Sequence, residues 1–394
     1  MNICYISDVD VSSSNGPGVN EREFVVSLSR KLDDGAIFII PEPEEEIEWR
    51  PDGLYFYAKV RSSLFYRTNL QIFLYFWRQI CAFRKVAKIR RIGLVIFRLN
   101  YNSMLCALYI RMIRQAYAIK TLGYKGIVKE KRPTNLFKLI FWGILSRLFN
   151  EAVQGAVAID VCTDQYFRHY SSRLPVSKLE IVENSVNVDK FFPKNRMEMR
   201  AKLGLSRFNK IVGYVGGTPS ERGAAQLVEI STELRNSYPD CGIVIVGSDR
   251  HLNELKRRAK ELGTESSFVW TGIIPYEKVP DYMNSFDVGI GLDTADRINT
   301  IGNSSQKIRQ YLACGVPVIC PKGTNLFVED EKLGMLVECD DLEEILLGIK
   351  KYFLFSNVEA EQFSRRAMKY VHENLSSDIA MEKRLEFWRR NLEK

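Results

Sequence analysis

The sequence predicts an α/β protein made of two Rossmann-like domains in series. Short Val- and Ile-rich runs recur between helical stretches along the whole length, and the alternation breaks once, near 186–206. At 394 residues the chain is long enough for two cores of ordinary size. Strands that are apolar throughout, rather than on alternate residues, belong to parallel sheets covered by helices on both faces.

In order, MNICYIS is a first buried strand, followed by a Ser/Asn/Gly loop and a helix from about Val19 to Leu32. Ile37–Ile40, LVIF (94–97), AYAI (116–119) and AVAIDVC (156–162) are further strands of the first set. The turn region ENSVNVDKFFPKN leads to a second set: IVGYVG (211–216), GIVIVG (242–247), SFVWTG (267–272), VGIGL (288–292) and VPVICP (316–321). Helices are expected near 223–237, 250–262, 276–285 and 305–314, and two more close the chain. The domains are therefore drawn at 1–190 and 205–372, with a helix in 373–394 expected to pack back toward the first domain. Ligands of such sheets sit at the carboxyl ends of the strands, which makes the crevice between the domains the expected site.

Composition is globular, with 46% hydrophobic and 26% charged residues. The opening MNICYISDVD lacks the basic start and long apolar stretch of a signal peptide, so a cytosolic protein is expected. Eight cysteines (Cys4, Cys81, Cys106, Cys162, Cys241, Cys314, Cys320, Cys339) include no C-x-x-C pair and read as reduced core residues. The three histidines, His169, His251 and His372, are far apart, so no metal centre is expected. Net charge is +8, and it is unevenly placed: positions 61–150 hold 18 Lys or Arg against one acid, Glu130.

Three segments have the composition of ligand-binding turns. In SNGPGVNERE (14–23), Gly16 and Gly18 let backbone amides approach a ligand beside a helix N-terminus, although Gly and Pro also make loops with no ligand. In GYVGGTPSERGAAQLVEI (213–230), a strand runs into a turn at Gly216 and Gly217 and then to Arg222 at the head of a helix. There Arg222 can hold a diphosphate by charge-assisted, bidentate contacts. A cation at a helix start is mildly disfavoured by the macrodipole, which favours a functional reason for it. In IGNSSQKIRQYLACGVPVICPKG (301–323), Asn303 with Gln306 fits a capping box, Gly315 lies just past the helix and Pro317 prevents its continuation. The helix runs from about Ser304 to Cys314 and offers amides and the hydroxyls of Ser304 and Ser305, with Gln310 further in.

These motifs together give the chain a resemblance to glycosyltransferase family 4, group 1 retaining enzymes of the GT-B fold, in which two Rossmann-like domains face each other across a cleft. IVENSVNVDKFFP (181–193) is similar to the family's linker, and GYVGGTPSERG to its phosphate loop, with Arg222 at the lysine position. FVWTGIIPYEKVPDYMNSFDVGI (268–290) and KIRQYLACGVPVI (307–319) resemble its two later signatures. The resemblance implies a nucleotide-sugar donor, no cofactor and no metal requirement. It implies donor contacts at Gly16, Gly18, Gly217, Asn303, Ser304, Ser305 and Gln310, with Arg222 and Lys307 stabilising the departing diphosphate.

The departures are specific. Family members carry two glutamates in the last segment; here the second is Gln310, which can still hydrogen-bond a ribose, and the first is Gly302. Asn303, Ser304 or Ser305 could take over the contact with the donor sugar. No histidine precedes residue 168, although some members use one in the first domain. Asp8-Val9-Asp10 spells the metal-binding D-x-D of another glycosyltransferase class, GT-A, but in a GT-B pattern metal binding there is not expected.

The basic region contains two aromatic segments, 63–93 and 135–149. In the first, Gln71, Arg78, Ala82 and Lys85 are expected on one helical face, with Ile72, Phe73, Phe76, Ile80 and Phe83 on an apolar face. Neither segment has the roughly 18 uninterrupted apolar residues needed to span a bilayer. Both suit a helix lying on an anionic membrane, where each nearby Lys or Arg contributes about 1 kcal/mol; packing on their own domain is the other reading. No nucleic-acid motif accompanies them, so a nucleic-acid partner is not expected. The expected function is sugar transfer to a lipid-linked or polysaccharide acceptor at the cytosolic membrane face, the alternative being a non-catalytic GT-B subunit of a glycosylation complex.

Overall fold

The computed structural model describes residues 1–13, 16–43, 53–58, 70–120, 136–217 and 223–393. Arg222, residues 63–69 and residue 135 lie outside the described residues. The chain divides into two compact units, Met1–Glu183 with Ala380–Lys394, and Asn184–Ile379. Each is a parallel sheet with helices, so the two Rossmann-like units expected from the alternation are both present.

In the first unit the strands are β1 (Ile3–Ile6), β2 (Ala36–Pro41), β3 (Leu54–Ala58), β4 (Leu94–Phe97), β5 (Tyr117–Ile119), β6 (Ala158–Val161) and β7 (Leu179–Ile181). Their order is β3-β2-β1-β4-β5-β6-β7, and Ile3 of β1 lies opposite both Ala36 and Leu94. The sheet carries helices α1 (Gly16–Leu32), α2 (Gln71–Ile89), α3 (Met104–Met112) and α4 (Leu136–Gln154). The late helix Ser377–Leu392 completes this core: Met381, Leu385 and Trp388 pack with Tyr5, Phe24 and Phe38. Trp388 is fully buried, edge-on to Phe24 at 6.4 Å, and Arg384 pairs with the buried Asp160 at 3.2 Å.

The apolar face expected for α2 is split. Ile72, Ile80, Phe83 and Val86 are buried, and so is Ala82, which was expected on the polar side. Phe73 and Trp77 instead point outward, 53% and 63% exposed. The helix packs against β2, β3 and α3, so its buried stripe is set by those neighbours rather than by the widest apolar arc.

The second unit has β8 (Lys210–Val215), β9 (Cys241–Val246), β10 (Phe268–Gly272), β11 (Val288–Ile290), β12 (Val318–Pro321) and β13 (Gly334–Val337), in the order β10-β9-β8-β11-β12-β13. The helix expected over 223–237 is two helices, Ala224–Glu229 and Ser231–Ser237, which meet at Ile230. Ser231 sits at the break because its hydroxyl bonds back to the Val228 carbonyl and across to Thr264.

Candidate functional site

Within the second sheet the chain order reverses between neighbours β8 and β11, which makes the carboxyl ends of these strands the natural ligand position. The helix Gln306–Ala313 starts at that edge. It sits directly on β11 because a Cβ at Gly289 would lie 2.7 Å from the Tyr311 ring, and one at Gly291 2.6 Å from Ile308. Tyr311 then reaches the end of β8, where its hydroxyl accepts a hydrogen bond from the Val215 N–H at 2.8 Å. Burial pushes the Tyr311 hydroxyl well above its usual range, so it remains a neutral phenol.

The loop before this helix differs from the expected capping box. Ser305 is the N-cap, with extended backbone and no side-chain cap bond, and the helix begins at Gln306. Asn303 acts one step earlier: its Oδ1 accepts from the Ser305 N–H at 2.9 Å. The Ser305 side chain thus does not cap the first turn, and a helix N-terminus suits an anion. Gly302 stands at φ +68°, ψ −170°, a region essentially reserved for glycine, which accounts physically for the absence of a glutamate there.

Ser304 is buried and bound to the second unit's first residue. Its hydroxyl accepts from the Asn184 N–H at 2.8 Å, and its carbonyl accepts from the Asn184 side-chain amide at 2.6 Å. Gln310 is also buried, and its amide donates to the Tyr276 hydroxyl at 3.3 Å. That contact uses a donor and leaves the Gln310 carbonyl oxygen to accept from a ligand hydroxyl. Lys307 lies with its Nζ 4.2 Å over the Tyr214 ring, and the Tyr214 hydroxyl donates to the Gly217 carbonyl. Lys307 is thereby brought to the glycine turn after β8, where a cation and a helix N-terminus together can hold a diphosphate.

So Gly217, Asn303, Ser304, Ser305, Lys307 and Gln310 gather at one edge of one sheet. Tyr214, Tyr276 and Asn184 were not foreseen as their supports. Asn184 falls in the linker motif, the one signal that could have singled it out; tyrosines inside strand and turn patterns read only as core.

Gly16 and Gly18 belong to the first unit. Gly16 is the first residue of α1 and is exposed. Gly18 is buried, and a Cβ there would fall 2.3 Å from the Ser13 carbonyl oxygen, so the chain's own loop explains that glycine. Asp10 stabilises the same loop, accepting from the N–H and hydroxyl of Ser12 at 2.9 and 2.7 Å, while Arg22 donates to the Val11 and Ser12 carbonyls.

A second group of charges, unforeseen, lies along the carboxyl ends of β1, β4 and β5. Glu21 is fully buried and accepts from Tyr5, Arg98 and Lys120, the last at 2.8 Å. Burial alone would raise its pKa, but Lys120 and Arg98 outweigh that and hold it down at about 2. Nearby, the half-buried Asp8 accepts from the side-chain amides of Asn100 and Asn102, the latter at 2.6 Å. The Asn100 side-chain Oδ1 meanwhile accepts from the N–H groups of Asn102 and Ser103, which fixes its amide toward Asp8. Among the described residues no group of His, Cys, Asp and Glu is placed to hold a metal ion.

Residues 195–370 match the family model described as glycosyl transferases group 1. A GDP-mannose-dependent alpha-(1-6)-phosphatidylinositol monomannoside mannosyltransferase of Mycolicibacterium smegmatis is 30% identical over 187 residues, covering 44% of this chain and 47% of that protein. An alpha-monoglucosyldiacylglycerol synthase of Streptococcus pneumoniae is 23% identical, over 48% of this chain and 45% of that one. The chain spans about half the length of the curated relatives it matches. In fold, it is similar to sucrose-phosphate synthase from Thermosynechococcus elongatus, at TM-score 0.74 and 15% identity over 99% of both chains. It is also similar to Anabaena HepE in complex with UDP, at TM-score 0.71 and 14% identity over 98% of this chain and 99% of that one.

Proposed function

We propose that this chain, whose residues 195–370 match the family model described as glycosyl transferases group 1, moves a sugar from a nucleoside diphosphate sugar to a lipid-linked or glycan acceptor at a membrane surface. The observation that carries the reading is the edge of the second sheet, where the helix start at Gln306 and the Lys307 ammonium meet the glycine turn after β8. In this reading Lys307 and the first-turn amides stabilise the diphosphate as the glycosidic bond breaks. Gln310 accepts from a ribose hydroxyl, and Asn303, Ser304 and Ser305 shape the sugar end. Arg222 is assigned to the diphosphate from the family pattern alone, as is retention of anomeric configuration.

The membrane part of the reading is supported by the outer faces of α2 and α4. Phe73, Trp77, Arg84 and Lys88 recur at helical spacing on one exposed side of α2, and Ile140, Ile144 and Arg147 do so on α4. An apolar stripe ending in cations suits an anionic lipid surface, and thus a peripheral position on the inner face of the membrane. No helix among the described residues is long and apolar enough to cross it.

The test is a panel of UDP-, GDP- and dTDP-sugars scored by thermal shift, followed by nucleotide release with membrane extract as acceptor. One sugar nucleotide is expected to stabilise the chain and to be turned over. Binding without release, in the presence of acceptor, would identify a non-catalytic subunit.

A further inference from the structure

In the first sheet too the chain order reverses, between β1 and β4, since β2 and β3 lie to one side and β5, β6 and β7 to the other. Asp8 follows β1, and Asn100 and Asn102 follow β4, so the three straddle that reversal, where a doubly wound sheet collects its ligand. The two asparagine amides each engage a different oxygen of the Asp8 carboxylate. A carboxylate has about four acceptor positions, so each oxygen keeps one for another donor. The residue is half-buried, and the two amides orient its carboxylate.

The surroundings decide what kind of donor fits. Asp8 and Glu21 are matched by Arg98 and Lys120, and Arg98 is already committed to Glu21 through its Nη1. Asp10 and Arg22 serve the adjacent loop. The formal charges of these six side chains therefore cancel. Two adjacent hydroxyls present two O–H donors at the spacing of one carboxylate.

We infer that Asp8, held by Asn100 and Asn102, is the recognition group for a vicinal diol on an uncharged sugar or cyclitol ring of the acceptor. The assignment rests on the sugar-transfer reading above, and it makes Asp8 a specificity-determining residue of that reaction.

The experiment uses the full chain and three soluble probes, myo-inositol, methyl α-D-mannopyranoside and its 3-deoxy analogue, with binding followed by saturation-transfer NMR. UDP and GDP binding are measured separately by calorimetry. The wild-type chain is expected to bind the first two probes and to bind the 3-deoxy compound, which has no vicinal pair, at least about tenfold more weakly. Asp8→Asn should lose about tenfold for the diol probes with its nucleotide affinity unchanged, and Asn102→Ala a few-fold. Inositol 1-phosphate should bind no more tightly than inositol. The proposal is overturned if the wild type binds neither diol probe, if the 3-deoxy sugar binds as well as its parent, or if the phosphate dominates. Because the 3-deoxy comparison needs no variant, it decides the matter even where Asp8→Asn does not fold. Loss of nucleotide binding alone, with diol binding intact, counts against the sugar-transfer reading and leaves the diol site standing.

Discussion

Asn184 and Ser304 are joined twice, through the Asn184 N–H to the Ser304 hydroxyl at 2.8 Å and through the Asn184 side-chain amide to the Ser304 carbonyl at 2.6 Å. The pair pins the loop that precedes the helix Gln306–Ala313. Asn184→Ala removes the second bond only. It should cost about 1 kcal/mol of stability and raise the KM for the sugar nucleotide about fivefold, with kcat changed less. Steady-state kinetics on the turned-over donor measure the split; an unchanged KM would mean that the loop holds its shape without Asn184.

Gln310 donates to Tyr276 and keeps its carbonyl oxygen for a ligand. Gln310→Ala should weaken nucleoside diphosphate binding about tenfold and abolish most of the preference for a ribose over a dideoxyribose, as expected from one lost hydrogen bond of about 1.5 kcal/mol. Calorimetry with both nucleotides reports this directly. Equal discrimination in the variant would remove Gln310 from the ribose.

Placing a glutamate at position 302, as the family resemblance implies, should harm the protein. At φ +68°, ψ −170° a glutamate would be strained by about 1–3 kcal/mol, and the strain falls on the loop carrying Asn303 and Ser304. Gly302→Glu is expected to lower both the Tm and donor affinity. A variant with wild-type Tm and improved transfer would show instead that the loop rearranges freely.

Acid should act on the first unit through Glu21. Its carboxyl is held at about 2, below its ordinary value of 4.5, so the stability gained from its ionisation is complete above 4.5 and is lost as pH falls toward 2. Glu21→Gln should flatten this part of the stability–pH curve. At neutral pH it should also cost about 3 kcal/mol, since Lys120 is then buried without its counter-ion. Urea unfolding between pH 7 and pH 3 checks both statements.

For the outer faces of α2 and α4, the pair Trp77→Ser and Ile144→Ser should reduce co-flotation with phosphatidylglycerol vesicles by about tenfold, with nucleotide binding untouched. Vesicles of phosphatidylcholine alone should bind the wild type weakly. Indifference to lipid charge, or to both substitutions, would refute membrane docking by these helices.

Much of this architecture was legible because strand–helix alternation depends on local apolar runs. Three strands were not foreseen. Leu54–Ala58 is an edge strand only partly buried, Leu179–Ile181 has three residues, and Gly334–Val337 opens on a glycine. None carries the long Val/Ile run that marks a central strand. The helix near Ser304–Cys314 was legible through Gly315 and Pro317, yet its start was displaced because Asn303 caps the turn at Ser305 instead of the helix itself. The Asp8–Asn100–Asn102 and Glu21–Lys120 groups could not be read, since their members are brought together only by the reversal of strand order in the sheet.

The helix Ser377–Leu392 follows the second unit in the chain yet supplies Met381, Leu385 and the fully buried Trp388 to the first. During synthesis the first unit therefore emerges early but waits with an open core until the second has been made. Losing Trp388 from such a core costs about 3–5 kcal/mol, so the waiting state exposes a substantial apolar surface. Chaperone dependence should accordingly be concentrated in the unit that is translated first, and the second unit should be the one that folds unaided on the ribosome.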